Sequence, residues 1–134
     1  MITGSKVYNN AKAPAHILVV DDNAILLRTV KDMLEEKYSV AIAVSASQAF
    51  MAIEKRKPDA ILLDYEMPIT DGAELLQQFR QNDDLKDIPV IFLTGSADRE
   101  IVTKLTSLNP AGYMLKPPSK KKMLELIADV LQKK

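Results

Sequence analysis

Ala60-Ile61-Leu62-Leu63-Asp64 is an uncharged apolar run that closes on a carboxylate, with Tyr65-Glu66-Met67-Pro68 directly after it. Set between Lys57-Pro58-Asp59 and a proline-bearing turn, a run this short predicts a strand buried on both faces, the signature of a parallel sheet. Asp64 then stands at the carboxyl end of that strand. Ligands of open parallel α/β sheets bind at this edge, so an acid there is placed for chemistry. Asp64 as a turn cap is the competing reading, and the run alone does not separate the two.

Four other runs are of the same kind. His16-Ile17-Leu18-Val19-Val20 closes on Asp21-Asp22, and Val40-Ala41-Ile42-Ala43-Val44 predicts a second buried strand. Pro89-Val90-Ile91-Phe92-Leu93-Thr94 ends in a hydroxyl and is followed by Gly95-Ser96, where the backbone is free to turn closely. Tyr113-Met114-Leu115 is a short fifth run ending in Lys116-Pro117-Pro118. Between the runs the apolar spacing becomes helical. Leu26, Leu27, Val30, Met33 and Leu34 form one stripe reaching Lys37. Ser45 with Gln48 forms a capping box before a helix carrying Phe50, Met51 and Ile53, closed by Lys57-Pro58. Asp71 with Glu74 repeats the box before Leu75, Leu76 and Phe79, with Gly72 at a tight beginning. Ile101, Val102, Leu105 and Leu108 mark a fourth helix, broken by Asn109-Pro110-Ala111-Gly112; Ser119 caps a fifth with Met123, Leu124, Ile127, Val130 and Leu131 inward. Five strand-helix alternations predict an α/β fold, a five-stranded parallel sheet doubly wound with right-handed crossovers.

In such a sheet all five strands point the same way, which gathers Asp21, Asp22, Asp64, Thr94 and Lys116 at one edge. Each residue alone has an ordinary role: Asp21-Asp22 as helix caps, Lys116 as a surface lysine, Thr94 as a strand-end threonine. Their joint occurrence in strand order outweighs these. Carboxylates brought together repel, and a hard divalent cation with oxygen ligands, Mg²⁺ or Mn²⁺, is the usual relief. Asp21, Asp22 and Asp64 are the candidate metal ligands, and the backbone carbonyl of Glu66 could complete the set. With Lys116 and the Thr94 hydroxyl beside it, an ionised Asp64 is suited to in-line attack on a phosphoryl group, giving an aspartyl phosphate. His16, the only histidine, starts its strand and so belongs at the opposite edge, where it cannot be the phosphoryl donor to Asp64 in the same molecule.

Taken together, Asp21-Asp22, Asp64, Met67-Pro68, Asp71-Gly72, Thr94-Gly95 and Lys116-Pro117 make the chain resemble the receiver domain of two-component response regulators, of the single-domain chemotaxis type. The resemblance spans residues 15–134. It implies a flavodoxin-like (βα)5 fold with strand order 2-1-3-4-5 and a cis peptide before Pro117. It further implies that Asp64 accepts a phosphoryl group from a sensor histidine kinase or histidine phosphotransfer protein, with Asp21, Asp22 and the Glu66 carbonyl holding Mg²⁺. Thr94, Tyr113 and Lys116 become the switch set. Glu66 and Ser96 take positions that tune loss of the phosphoryl group. The fourth helix, fifth strand and fifth helix become the face read by a downstream effector, and a phosphorylation-dependent homodimer is a further possible partner state.

Composition narrows the rest. With 134 residues the chain is one domain by length, and 18 basic against 18 acidic residues give it no general affinity for nucleic acid or an anionic membrane. The absence of cysteine excludes disulfides, thiolate metal sites and a cysteine nucleophile. No apolar run is long enough to span a bilayer and no export signal opens the chain, so a cytoplasmic location is expected. Residues 1–14 lack apolar periodicity and read as a flexible arm or an expression remnant. Two rivals remain. A phosphatase of the haloacid dehalogenase kind would need Glu66 as its general acid, yet its nucleophile follows the first strand and Asp21-Asp22 has no place in its motif order. A degenerate receiver used only for docking is opposed by the intact acids and Lys116.

Overall fold

The computed structural model describes residues 13–67 and 71–133; residues 1–12 of the expected arm and Pro68 in the turn after Asp64 lie outside the described residues. Five strands and five helices alternate: β1 His16–Val20, α1 Ala24–Leu34, β2 Ser39–Ala43, α2 Ala46–Lys55, β3 Ala60–Asp64, α3 Gly72–Arg80, β4 Val90–Thr94, α4 Arg99–Ser107, β5 Gly112–Leu115 and α5 Lys120–Gln132. The strands form one parallel sheet in the order β2-β1-β3-β4-β5. This is the expected doubly wound flavodoxin-like arrangement.

The three central strands are buried along their whole length. Period-two alternation sends their side chains into two cores. Leu18, Val20, Ile61, Leu63, Val90 and Phe92 pack with α2, α3 and α4 through Ala49, Leu75, Leu76, Phe79 and Leu105. Ile17, Val19, Ala60, Leu62, Ile91 and Leu93 pack with α1 and α5 through Leu27, Val30, Leu34, Met123, Ile127 and Val130. Each large side chain so buried contributes about 1.5–3 kcal/mol from the area it removes from water.

The edges depart from the sequence expectation. The second strand begins at Ser39, ends at Ala43 and is not buried throughout: Ile42 is 40% exposed and Val44, just beyond it, 39%. A β-branched run reads alike at an edge and at the centre, but β2 has a partner on one side only. Met51, one of the apolar residues that marked α2, is 60% exposed, and α2 sets the small Ala49 against the sheet. The first helix ends at Leu34, short of Lys37. The Ser45 cap accepts from the Gln48 N–H at 3.2 Å, whereas the Gln48 side chain reaches back to the Val44 N–H at 3.0 Å, one residue earlier than a capping box requires.

His16 begins β1 at the amino edge. The parallel register of Ile17 with Ala60 puts it level with residue 59, five residues before Asp64, or about 16 Å at the usual rise. It is more than a flanking residue. Its N–H donates to Asp59 at 2.7 Å, its Nδ1 lies 2.8 Å from Ser39 Oγ, and Arg56 donates to the same hydroxyl at 3.0 Å. Burial, then the Arg56 charge, lowers its pKa below 6.5, against the opposing pull of Asp59. A lowered value favours the fold above 6.5, and that contribution is lost as the pH falls through the folded value. His16→Gln should therefore flatten the decline of thermal stability below neutrality; an unchanged slope would show that His16 does not contribute to it.

Candidate functional site

The continuous parallel register brings the carboxyl ends of β1, β3, β4 and β5 to one edge of the sheet. The ladder continues past the strand ends: Asp21 N–H donates to the Ala43 carbonyl, Tyr65 N–H to that of Leu93, and Lys116 N–H to that of Thr94. The acids of β1 and β3 flank the point where the strand order reverses, the usual place for a ligand in this architecture. Asn23 is the N-cap of α1, its Oδ1 accepting from Ile25 and Leu26. The helix therefore does not use Asp21 or Asp22 as its cap, correcting that alternative. Asp21 Oδ1 accepts instead from the Asn23 N–H at 2.9 Å. A polar residue after an acidic pair was the available signal for this cap.

Lys116 Nζ lies 2.9 Å from both Asp64 Oδ1 and Asp21 Oδ2. Asp21 is fully buried and Asp64 1% exposed. Asp64 Oδ1 also accepts from the Glu66 N–H at 3.0 Å, so one oxygen is doubly held. Asp64 Oδ2 is buried and has no hydrogen-bond partner. The Lys116-Pro117 peptide is cis, as the resemblance implied.

Burial dominates the electrostatics. It pushes the Asp64 carboxyl up to about 6, with the Asp21 charge adding to the rise and the bonds from Lys116 and Glu66 N–H opposing it. Burial also works to lower the pKa of Lys116, but its hydrogen bonds and charge pairing with Asp21 and Asp64 outweigh that and raise it. Asp21, exposed Asp22 and Asp64 each offer an oxygen, and these lie within 4.8 Å of one another. Three carboxylates against one ammonium leave an excess of negative charge, and the donors are all hard oxygens. That donor set fits a divalent cation of the Mg²⁺ type.

A second group of donors lies beside it. Thr94 is buried, and its Oγ1 is 3.3 Å from both Glu66 Oε1 and the Ser96 carbonyl. Gly95 N–H donates to the same Glu66 Oε1 at 2.9 Å. The register Asp64 to Leu93 makes residues 66 and 95 neighbours, so the closeness was readable, but the direction of the Glu66 side chain was not. Tyr113 lies on β5 with its side chain 40% exposed. At the far end of α4, Arg80 donates to the carbonyls of Leu108 and Asn109, where Asn109 adopts φ 59°. Nothing in the sequence marked Arg80 for that task.

Gly72 stands at the tight beginning expected of it, and Gly95 does not make the close turn expected there. A Cβ on Gly72 would lie 2.5 Å from the Asp64 carbonyl oxygen and 2.8 Å from Tyr65 Cα, so α3 starts directly against the backbone of the acid. A Cβ on Gly95 would meet only Glu66 Oε1, at 3.7 Å, an ordinary contact. No close approach requires glycine at 95.

Fold and site define a flavodoxin-like α/β domain with an acid-lysine cluster at its switch-point edge. The chain belongs to the response regulator receiver domain family, which it matches over residues 17–128. Receiver domains are signalling domains of two-component phosphorelays, and this chain is one of them. It is 30% identical over 118 residues to the chemotaxis protein CheY of Halobacterium salinarum, covering 86% of this chain and 95% of that one. A probable transcriptional regulator, ycf29 of Porphyra purpurea, is 32% identical over 117 residues, covering 87% of this chain and 56% of that protein. The first curated relatives are mostly longer, and the chain spans between 8% and 56% of four of them. Among solved structures, the Vibrio cholerae chemotaxis protein CheY4 superposes with a TM-score of 0.81 at 26% identity, covering 88% of this chain and 99% of that one. No helix among the described residues is long and apolar enough to cross a membrane.

Two outcomes are expected from the packing and the charge balance. Gly72→Ala should cost about 1–3 kcal/mol or more by overpacking, whereas Gly95→Ala should stay within about 0.5 kcal/mol of the parent in denaturant unfolding. Equal costs would contradict the geometry. The folded chain holds the Asp64 proton more tightly than the unfolded chain, a contribution full below 3.8 and lost as the pH rises through about 6. In EDTA, Asp64→Asn should then become more stable than the parent above that pH, by on the order of 1–3 kcal/mol. Mg²⁺ should narrow the gap by stabilising the parent alone. A parent more stable than the variant at alkaline pH without metal would contradict the raised pKa.

Proposed function

We propose that Asp64 is the phosphoacceptor of a phosphorelay and that Oδ2 is its attacking atom. The observation that carries this is the division of labour on one carboxylate: Oδ1 is held by Lys116 and the Glu66 N–H, while buried Oδ2 has no partner. In-line attack by an Oδ2 lone pair forms the new P–O bond as the bond from phosphorus to the donor's imidazole nitrogen breaks, and the imidazole leaves with that electron pair. Lys116, already 2.9 Å from the acceptor, is placed to donate to a phosphoryl oxygen as charge builds there. The Thr94 hydroxyl and Gly95 amide are the next donors along the edge.

Asp21, Asp22, Asp64 and the backbone carbonyl of Glu66 would hold Mg²⁺ or Mn²⁺. When bound, the cation neutralises phosphoryl oxygens and the crowded acids. The protein's catalysis extends only to its own phosphorylation and dephosphorylation. Its donor is a sensor histidine kinase or histidine phosphotransfer protein, and residues 15–134 act as one receiver unit in the cytoplasm.

Output follows from the switch set. A phosphoryl group on Asp64 adds charge and acceptors that draw Thr94, and the turning of Tyr113 from its half-exposed position changes the surface of α4, β5 and α5. That surface carries an open groove of about 490 Å³ lined by residues including Tyr113, Leu115, Pro117, Lys122 and Leu126. An effector, or a second phosphorylated copy, would read it. Intact mass after incubation with phosphoramidate and Mg²⁺ tests the reading. One phosphoryl adduct is expected, abolished by EDTA and by Asp64→Asn and slowed at least about tenfold by Lys116→Ala. A folded parent that takes no adduct would leave only a docking role.

A further inference from the structure

Glu66 has an exposed carboxylate, yet its Oε1 is drawn to two donors on the next strand: the Gly95 N–H at 2.9 Å and the Thr94 hydroxyl at 3.3 Å. Those donors are the ones that a phosphoryl group on Asp64 would use. An anionic oxygen therefore already occupies them. We propose that the Glu66 side chain is an intramolecular stand-in for a phosphoryl oxygen, latching the β4–α4 loop in the unphosphorylated protein and having to leave before Thr94 and Gly95 can bind the phosphoryl group. The proposal rests on Asp64 being the acceptor.

The latch has a fixed anchor. The Glu66 N–H is bonded to Asp64 Oδ1, so the backbone that carries the side chain is tied to the acid itself. The other bonds of this loop are internal to it, between Ser96 and Thr94 at 3.3 Å and from the Asp98 N–H to Ser96 Oγ at 3.1 Å. Asp98, the N-cap residue of α4, makes no capping bond with its side chain, and Leu105 is the one fully buried residue of that helix. The C-terminal end of α4 is pinned by Arg80 through the Leu108 and Asn109 carbonyls. Loss of the Glu66 bonds thus frees the beginning of the helix while its end stays attached to α3. The side chain acts on Thr94 and Gly95 and makes no contact with the acceptor oxygen, so Glu66 is a positioning residue.

The parent and the variants Glu66→Gln, Glu66→Asp and Glu66→Ala would be labelled with phosphoramidate and Mg²⁺, with exchange of the Gly95 amide followed by NMR in the unlabelled proteins. Glu66→Asp is decisive because it keeps the charge on a side chain one methylene shorter. The latch predicts that Glu66→Ala and Glu66→Asp both label about tenfold faster than the parent and that both expose the Gly95 amide, in keeping with loss of charge-assisted bonds. Glu66→Gln, which retains an acceptor without charge, should fall between. Parent-like labelling of Glu66→Asp with fast labelling of Glu66→Ala would assign the effect to charge repulsion and overturn the latch. Unchanged Gly95 exchange in all three variants would overturn it too. If no protein were labelled, the acceptor reading would fall, and the Gly95 exchange would still judge the latch by itself.

Discussion

One ammonium between two buried carboxylates is the constraint on which the rest depends. Taking Asp21, Asp64 and Lys116 out of water costs several kcal/mol per ion, and only close pairing with further hydrogen bonds offsets it. The pairing at 2.9 Å on both sides requires Asp21 and Asp64 to stand level after β1 and on β3, with Lys116 two residues further along after β5. That level is set far from the charges, by the register of Ile17 with Ala60, Ile61 with Val90 and Ile91 with Gly112. The apolar sheet thus acts as a ruler for the polar edge. A one-residue slip of β3 would turn Asp64 to the other face and leave Lys116 with one partner.

The same cluster is incompletely compensated. Asp64 keeps a buried oxygen with no partner and a carboxyl pKa lifted to about 6, both marks of an environment that disfavours the anion. An interior selected for stability alone would satisfy or remove such an atom. Under the proposed function, a cation or phosphoryl group that partnered this atom would stabilise the folded chain by binding it.

How far the sequence discloses this depends on burial. The central strands could be read because Ala60-Ile61-Leu62-Leu63 and Val90-Ile91-Phe92-Leu93 are apolar on both faces, a pattern that a half-exposed strand or a surface helix does not produce. The edges could not: Val40-Ala41-Ile42 has the same composition, and only the strand order, taken from a resemblance and not from periodicity, puts β2 where one side has no neighbour. The inward side of α2 was unreadable for a related reason. Helical spacing marks a stripe, but which flank of the stripe meets the sheet is decided by the small Ala49 beside it. At the site, the positions of Asp21, Asp22, Asp64, Thr94 and Lys116 follow from topology alone because strand ends are fixed by the ladder. Side-chain directions on the loops are not. Asn23 as cap, Arg80 on the end of α4 and Glu66 on Gly95 depend on rotamers that no periodicity encodes.

The distribution of packing determines which elements a change at this edge can move. α1, α3 and α5 each bury three or more residues against the sheet, whereas α2 and α4 bury one each, Ala49 and Leu105, and of these two α4 is the one beside Thr94 and Gly95. β5, which separates α4 from α5, alternates half-buried with exposed residues and leaves Tyr113 and Leu115 at the surface. A change at Thr94 and Gly95 is a change in bonds worth only a few kcal/mol, too small to move the helices that anchor the two cores. It is large enough to shift an element held by one buried leucine, one arginine clamp and a loop at its beginning. The rigid centre would therefore confine the proposed response to α4 and β5, leaving the sheet itself unrearranged.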